Sequence, residues 1–209
     1  MTFEGISVSK PVSALLAPGT TLAAAPQTRA SLWLRSAGLV LAGSALVAVS
    51  AHLALPLYFT PVPLSLAPFA VLVIGLVFSP RLAAATLGAY LLEGAAGLPV
   101  FSPTPALPAM AHLLGPTGGY LLSYPLAAAL IAFLVRRTGR GFVPAFLSAA
   151  LGNLVILTSG ALWLAALTHA PLAVVASQAV VPFLPGDALK VAAAAGIAAG
   201  WVRLRRRAA

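Results

Sequence analysis

The sequence predicts an all-α, polytopic membrane protein: a bundle of six transmembrane helices with both termini in the cytoplasm. Three observations support this prediction. Hydrophobic residues make up 61% of the chain and charged residues 7%, against about 25% charged residues in soluble domains, and the mean hydropathy is +1.03. The apolar residues fall into six long stretches. Of the twelve Lys and Arg residues, all but Lys190 lie at alternate ends of these stretches.

The basic residues predict the orientation of the helices. They precede the first stretch, separate the second from the third and the fourth from the fifth, and follow the sixth. Lys and Arg in short loops mark the cytoplasmic face of a membrane protein. The net charge of +9 is therefore explained by orientation in a lipid bilayer, and no nucleic-acid partner is expected. The predicted location is the cell inner membrane or plasma membrane, with multiple passes.

The chain divides into a cytoplasmic N-terminal tail, residues 1–30, and a six-helix membrane domain, residues 31–209. A membrane-spanning helix needs about 20 apolar residues. The predicted spans cover approximately 34–55, 67–78, 82–92, 119–134, 142–167 and 183–202. The second and third are short, so tilt, burial by neighbours or a partly unwound end must complete the crossing.

Small residues recur every four positions in the first span, as in Gly38 to Ala42 and Ser44 to Ala48. This spacing is typical of close helix contacts in membranes. It fits either packing within the chain or docking onto another membrane subunit.

Two connections on the side without basic residues have sequences that predict a defined structure. Pro61 and Pro63 favour an extended loop after the first span, in which Tyr58 and Phe59 are either interfacial anchors or part of a lid. The long connection at 97–119 contains five prolines, no charge and many apolar residues. Long loops of this kind are usually functional or disordered, and the apolar residues predict that this one folds back into the protein.

Asp187 and Lys190 lie inside the sixth span, where an ionisable residue costs about 2.5 to 3.5 kcal/mol at mid-helix. Their spacing places them on one helix face. One interpretation is an ion pair that neutralises itself, or a lysine that reaches the interface. The other is a cavity entered from outside, in which Lys190 binds an anion and Asp187 accepts hydrogen bonds from N–H donors.

Other polar residues leave alternatives open. Glu93 fits an ion pair with Lys190 or a solvated helix end. Tyr90 and Asn153 each fit either helix packing or a ligand contact. The three histidines, His52, His112 and His169, are too scattered for a metal site and are interpreted as interface residues; neither a metal nor a cofactor is expected.

Four sequence blocks occur in order: Pro61-Val62-Pro63, Gly97 to Phe101, Gly115 to Tyr120 and Pro182 to Lys190. Together they resemble the BioY family of biotin transporters. The resemblance implies a substrate-binding membrane component of an energy-coupling factor vitamin importer, with a biotin pocket near the extracellular side. It also implies partners: a transmembrane coupling subunit and two ATPase subunits. The sequence itself has no Walker motif.

The resemblance implies that Asp187 and Lys190 contact the ligand, that the loop after the first span is a lid, and that the 97–119 connection forms part of the pocket. The predicted substrate-binding set is Asp187, Lys190, Tyr90, Phe101, Thr117, Gly118, Gly119 and Asn153. The small residues Gly38, Ala42, Ser44 and Ala48 resemble the family's docking surface. The chain departs from the family at Ser65, Ala67 and Glu93, where Thr, Gln and an apolar residue are usual.

The expected role is therefore not enzymatic. The alternative is an integral membrane enzyme that uses Asp187 and Lys190 as acid and base on a small amphoteric substrate. The sequence shows no nucleophile constellation for such an enzyme.

Overall fold

The computed structural model describes residues 29–103 and 108–207, and these are mostly helical. The predicted N-terminal tail lies outside the described residues except for Arg29 and Ala30, which begin the first helix. The elements are α1 Arg29–His52, β1 Ala54–Leu55, β2 Leu64–Ser65, α2 Ala67–Val77, α3 Pro80–Ala95, α4 Ala109–Leu114, α5 Gly118–Thr138, α6 Phe142–Thr168, α7 Leu172–Ala179, a 3-10 turn Val181–Phe183, and α8 Leu184–Arg207.

Each predicted span corresponds to a helix, namely α1, α2, α3, α5, α6 and α8. Four segments are long and apolar enough to cross a membrane: α1, α5, α6 and the C-terminal segment Leu172–Arg205. Helix α2, with 11 residues, and helix α3, with 16, are shorter. The prediction of a helical membrane protein is thus confirmed, whereas the count of six spans is not established by helix length. The short helices α4 and α7 were not predicted.

Helix ends follow local sequence. The Ser79 hydroxyl caps α3 by accepting from the Leu82 N–H at 3.3 Å, and Pro80 occupies the first turn, where its missing N–H costs nothing. Helix α5 ends at Thr138 and is followed by Gly139, whose φ of 107° favours glycine. The turn from α5 to α6 therefore uses the backbone freedom of Gly139.

Helix α5 lies at the centre of the bundle and packs against α2, α3 and α6. In its apolar 18-residue window 61% of residues are buried, against 17% in α1. Gly75 of α2 and Gly152 of α6 lie against Ile131 of α5, where an added Cβ would have no room. Glycine at these positions lets the neighbouring helices approach α5 closely. Helix α1 packs on the outside, against α2 and α3.

The two ends of the bundle differ. The ends of α2, α5 and α8 and the start of α6 meet around a small apolar cluster that includes Leu76, Val135, Ala145 and Ala198. Arg140 and Arg205 lie at this end, which we call the basic end. The larger apolar cluster extends toward the opposite end, where the hairpin β1–β2, α4 and the start of α8 enclose a cavity.

Candidate functional site

The cavity opposite the basic end encloses about 650 Å³ of empty space, a figure that includes space open to solvent. Residues from the end of α1, the hairpin, the starts of α2, α5 and α8, α4 and the middle of α6 line it. The cavity is therefore formed by most of the bundle.

A buried polar cluster lies on one wall of the cavity. Lys190 Nζ lies 3.1 Å from Asp187 Oδ1, and Asn153 Nδ2 donates to Asp187 Oδ2 at 3.1 Å. All three side chains are buried: Lys190 is 8% exposed, Asp187 is 5% exposed and Asn153 is 6% exposed. Asp187 is in the first turn of α8, where the positive end of the helix dipole favours a carboxylate. Asp187 and Lys190 thus form an ion pair, and both residues line the cavity.

The side-chain carbonyl oxygen of Asn153 is the atom of this cluster that lacks a hydrogen bond within the described part of the chain. Oδ1 is buried and has no hydrogen-bond partner among the described residues. A buried unsatisfied polar atom costs about 1 to 3 kcal/mol. The arrangement is therefore suited to a ligand that brings an N–H donor.

The remaining walls are largely apolar and aromatic. Tyr120 and Tyr124 of α5, Phe101 after α3, and Phe183 before α8 line the cavity. Phe101 is held edge-on by Tyr90, with ring centroids 5.4 Å apart. These rings give the cavity a hydrophobic lining in addition to the polar cluster, as in pockets that hold a small amphipathic molecule.

Five of the predicted substrate-binding residues line the cavity: Asp187, Lys190, Asn153, Phe101 and Thr117. Thr117 also donates to the His112 carbonyl at 2.9 Å.

The other three predicted residues lie behind the wall. Tyr90 is fully buried, and its hydroxyl donates to the Val100 carbonyl at 3.2 Å. Gly118 packs against the Leu113 backbone, and Gly119 packs against Trp163. These three residues therefore support the wall of the cavity and do not face the cavity itself.

The residues predicted for partner docking do not share one exposed face. Gly38 and Ala42 are exposed, and Ala48 is half-buried. Ser44 is buried and donates to Glu93 Oε1 at 2.9 Å. Glu93 is therefore held by α1, and Lys190 has Asp187 as its partner instead.

Sequence reasoning missed several lining residues. His112 was interpreted as an interface residue, yet it is 5% exposed and lines the cavity. Tyr120 and Tyr124 carried a usable signal, because residues four apart share a helix face. The hairpin contributes Val62, Pro63 and Ser65 rather than the aromatic pair Tyr58 and Phe59, which are exposed.

Comparisons with known proteins agree on one family. The model of the BioY family matches residues 21–207. A probable biotin transporter BioY from Pyrococcus horikoshii is 38% identical over 138 residues, covering 66% of this chain and 79% of the relative. Biotin transporter BioY2 from Lactococcus lactis is 34% identical over 160 residues, covering 75% and 84%.

A solved structure has the same fold. The crystal structure of the S-component for biotin from an ECF-type ABC transporter matches with a TM-score of 0.75 and 25% identity, over 87% of this chain and 95% of that one. The family and these relatives are transporter components and not enzymes. The enzyme alternative is therefore not supported.

Proposed function

The chain belongs to the BioY family, and on that premise we propose that it takes up biotin as the substrate-binding membrane component of an energy-coupling factor importer. The similarity to biotin transporters and to a biotin S-component supports this function. The observation in the structure that carries it is the buried Asn153 carbonyl, which has no hydrogen-bond partner among the described residues and belongs to a residue that lines the cavity with Asp187 and Lys190.

The chemistry of biotin matches the groups that face this cavity. Its ureido ring offers two N–H donors and one carbonyl acceptor, its fused rings and chain are apolar, and its chain ends in a carboxylate. Asn153 Oδ1 accepts one ureido N–H, which satisfies the buried acceptor. The fused rings pack against the aromatic wall formed by Tyr120, Tyr124 and Phe101.

Lys190 binds the ligand carboxylate in this proposal. Its ammonium group has three N–H donors, and one is directed at Asp187. Lys190 also borders a second groove, between the hairpin and the start of α8, which is lined by Leu64, Ser65 and Gly186 among others. The carboxylate therefore lies toward this opening and the ureido ring lies deeper, at Asn153.

The hairpin β1–β2 acts as the lid. Its strands pair antiparallel with Ala54 opposite Ser65, and Val62 is buried against the cavity. Movement of this hairpin away from α8 would open the cavity. Lids of this kind exclude water while the ligand is bound.

The membrane orientation has both termini and the basic end in the cytoplasm, with six spans and the cavity facing outward. Basic residues precede α1, separate α2 from α3 and α5 from α6, and end α8, which supports this orientation through the positive-inside rule. The protein is then a multi-pass protein of the cell membrane that collects biotin from outside and releases it inside.

Import against a gradient needs an energy source, and the partners proposed are a transmembrane coupling subunit and two ATPase subunits. Helix α1 is the least buried of the four long apolar segments, and Gly38 has open space around its Cα. Gly38→Leu and Ala42→Leu should reduce copurification with the coupling subunit without reducing biotin binding. Gly196→Leu, at an exposed glycine of α8 with open space, is the control.

Binding of tritiated biotin to the purified protein in detergent tests the ligand assignment. We expect saturable binding by the wild type and losses of at least about tenfold in affinity for Asn153→Ala and Lys190→Ala, the scale of one buried hydrogen bond to a charged or unsatisfied group. Ser148→Ala is the control, because Ser148 is equally buried in α6 but bonds its own helix at Pro144. Absence of binding by folded wild-type protein would contradict the proposal.

A ligand variant tests the pairing of Lys190 with the carboxylate. Biotin methyl ester lacks the negative charge, so the wild type should bind it more weakly than biotin. Lys190→Met should bind both ligands with similar affinity. If the variant keeps the full wild-type preference for biotin, another residue recognises the carboxylate.

A further inference from the structure

A second pocket lies at the basic end, on the opposite side of the bundle from the biotin cavity. Its floor is apolar and buried, with Leu76 of α2, Val135 of α5 and Ala145 of α6. Its rim carries Arg140 and Arg205 together with the Trp201 indole. The pocket therefore combines two guanidinium groups with a hydrophobic base between helices.

Both arginines are positioned by local structure. Arg140 lies between Gly139, with a φ of 107°, and Gly141, in the tight turn from α5 to α6. Helix α6 begins at this turn without a side-chain cap, so the positive end of its dipole adds to the positive potential. The Arg205 guanidinium lies 4.9 Å from the Trp201 ring centroid, a cation–π contact that orients it.

The described part of the chain contains no carboxylate to balance these charges. The sequence has three acidic residues, of which Glu4 lies outside the described residues. Asp187 is paired with Lys190 in the biotin cavity, and Glu93 accepts a hydrogen bond from Ser44. No described carboxylate therefore pairs with the arginines at this rim.

We infer that this pocket binds the phosphate group of an anionic phospholipid. Guanidinium groups match phosphate oxygens in a bidentate geometry, and basic pockets between transmembrane helices suit lipid headgroups. The surrounding surface favours a lipid over a soluble phosphate, because Val77 and Trp201 line the pocket and are apolar and exposed. An acyl chain can follow this surface while the headgroup contacts the arginines. Trp201 occupies the interfacial position that tryptophan favours.

Native mass spectrometry of the purified full-length protein tests this site. The detergent-solubilised protein is titrated with dioleoylphosphatidylglycerol and, separately, with dioleoylphosphatidylcholine. We expect about tenfold tighter binding of the anionic lipid, the scale of one charge-assisted hydrogen bond. Arg140→Gln and Arg205→Gln should each remove most of that preference. Arg203→Gln, which removes the same charge from the same helix outside the pocket, should reduce it less than either pocket variant does.

Further variants separate a specific site from diffuse attraction. Arg140→Lys and Arg205→Lys keep the charge but lose the guanidinium geometry, so a specific site predicts weaker binding in both. Equal effects of the three glutamine variants, or full binding by the lysine variants, would overturn the proposal. Displacement of the lipid by millimolar inorganic phosphate would also overturn it, by indicating a soluble anion site. Unchanged melting temperatures show that each variant is folded.

Discussion

The proposed biotin cavity and the basic end differ in whether their charged side chains are buried and paired. In the cavity, Lys190 and Asp187 are buried, contact each other at 3.1 Å and are joined by Asn153. At the basic end, Arg140 and Arg205 are exposed and have no carboxylate partner among the described residues. Water or lipid headgroups can solvate the arginines, whereas the buried pair must be satisfied by protein and ligand. In our proposal the buried charges lie at the ligand site, and the exposed charges lie at the membrane interface.

The largest expected effect comes from breaking the buried pair. Lys190→Met leaves the Asp187 carboxylate buried without a counter-charge, which should lower the free energy of unfolding by about 3 to 5 kcal/mol. The double variant Asp187→Asn with Lys190→Met removes both charges and should recover much of that stability. Biotin binding should be weakened by at least about tenfold in both proteins. Thermal unfolding in detergent measures the stability, and binding of tritiated biotin measures the affinity. A melting temperature of Lys190→Met equal to that of the wild type would contradict the idea that charge is costly in the cavity and tolerated at the basic end.

A medium effect is expected at the aromatic wall of the cavity. A Cβ at Gly94 would collide with the Phe101 ring, so Gly94→Ala should displace Phe101, cost about 1 to 3 kcal/mol of stability and weaken biotin binding. Gly88→Ala in the same helix meets open space. That control should bind biotin normally and be stabilised by about 0.5 to 1 kcal/mol through helix propensity. Similar behaviour of the two alanine variants would exclude Phe101 as a determinant of the pocket.

A smaller effect, on rate, is expected at the groove between the hairpin and α8. A Cβ at Gly186 would lie in ordinary contact with Leu64, so the larger side chain of Gly186→Leu should fill the groove beside Lys190. Stopped-flow measurements should then show several-fold slower biotin association with a smaller change in equilibrium affinity. Gly196→Leu, on the same helix, should associate at the wild-type rate. An unchanged rate in Gly186→Leu would mean that biotin reaches the cavity by another path.

The smallest effect is expected at the basic end. Arg203→Gln removes an exposed charge and should change the free energy of unfolding by no more than about 0.5 kcal/mol. Thermal unfolding of this variant beside Lys190→Met compares the two ends directly. A loss at Arg203 as large as that at Lys190 would show that exposure does not separate them.

Several features of the site were predictable because they depend on the free energy needed to place a polar or charged residue in an apolar span. Asp187 and Lys190 are conspicuous in an apolar stretch, and their spacing alone places them on one face. Asn153 is conspicuous for the same reason, although its two alternatives could not be separated from sequence. In the structure its amide nitrogen joins α6 to α8 and the residue lines the cavity, whereas the contact with a ligand is part of our proposal.

Other features depend on how helices rotate against each other. Tyr90 is one turn from Glu93 on α3, yet its hydroxyl meets the backbone of Val100 and its ring lies behind Phe101. Ser44 matches the spacing of a docking surface but contacts Glu93. Gly118 and Gly119 face other chain segments, where they allow close approach, rather than the cavity. Small residues spaced by four indicate that a helix has a face suited to close packing. The spacing does not indicate which helix or loop packs against that face.

The membrane class, the approximate positions of the helices, the segregation of arginine to one set of ends and the unusual pair Asp187 and Lys190 could all be read from the amino-acid sequence. Those properties follow from transfer free energies and from spacing along one chain. The folded arrangement was needed to learn which residues form the wall of the cavity, which stand behind it, and which residue contacts Glu93. These are contacts between distant segments, and they depend on the tilt and rotation with which side chains interlock in a packed bundle.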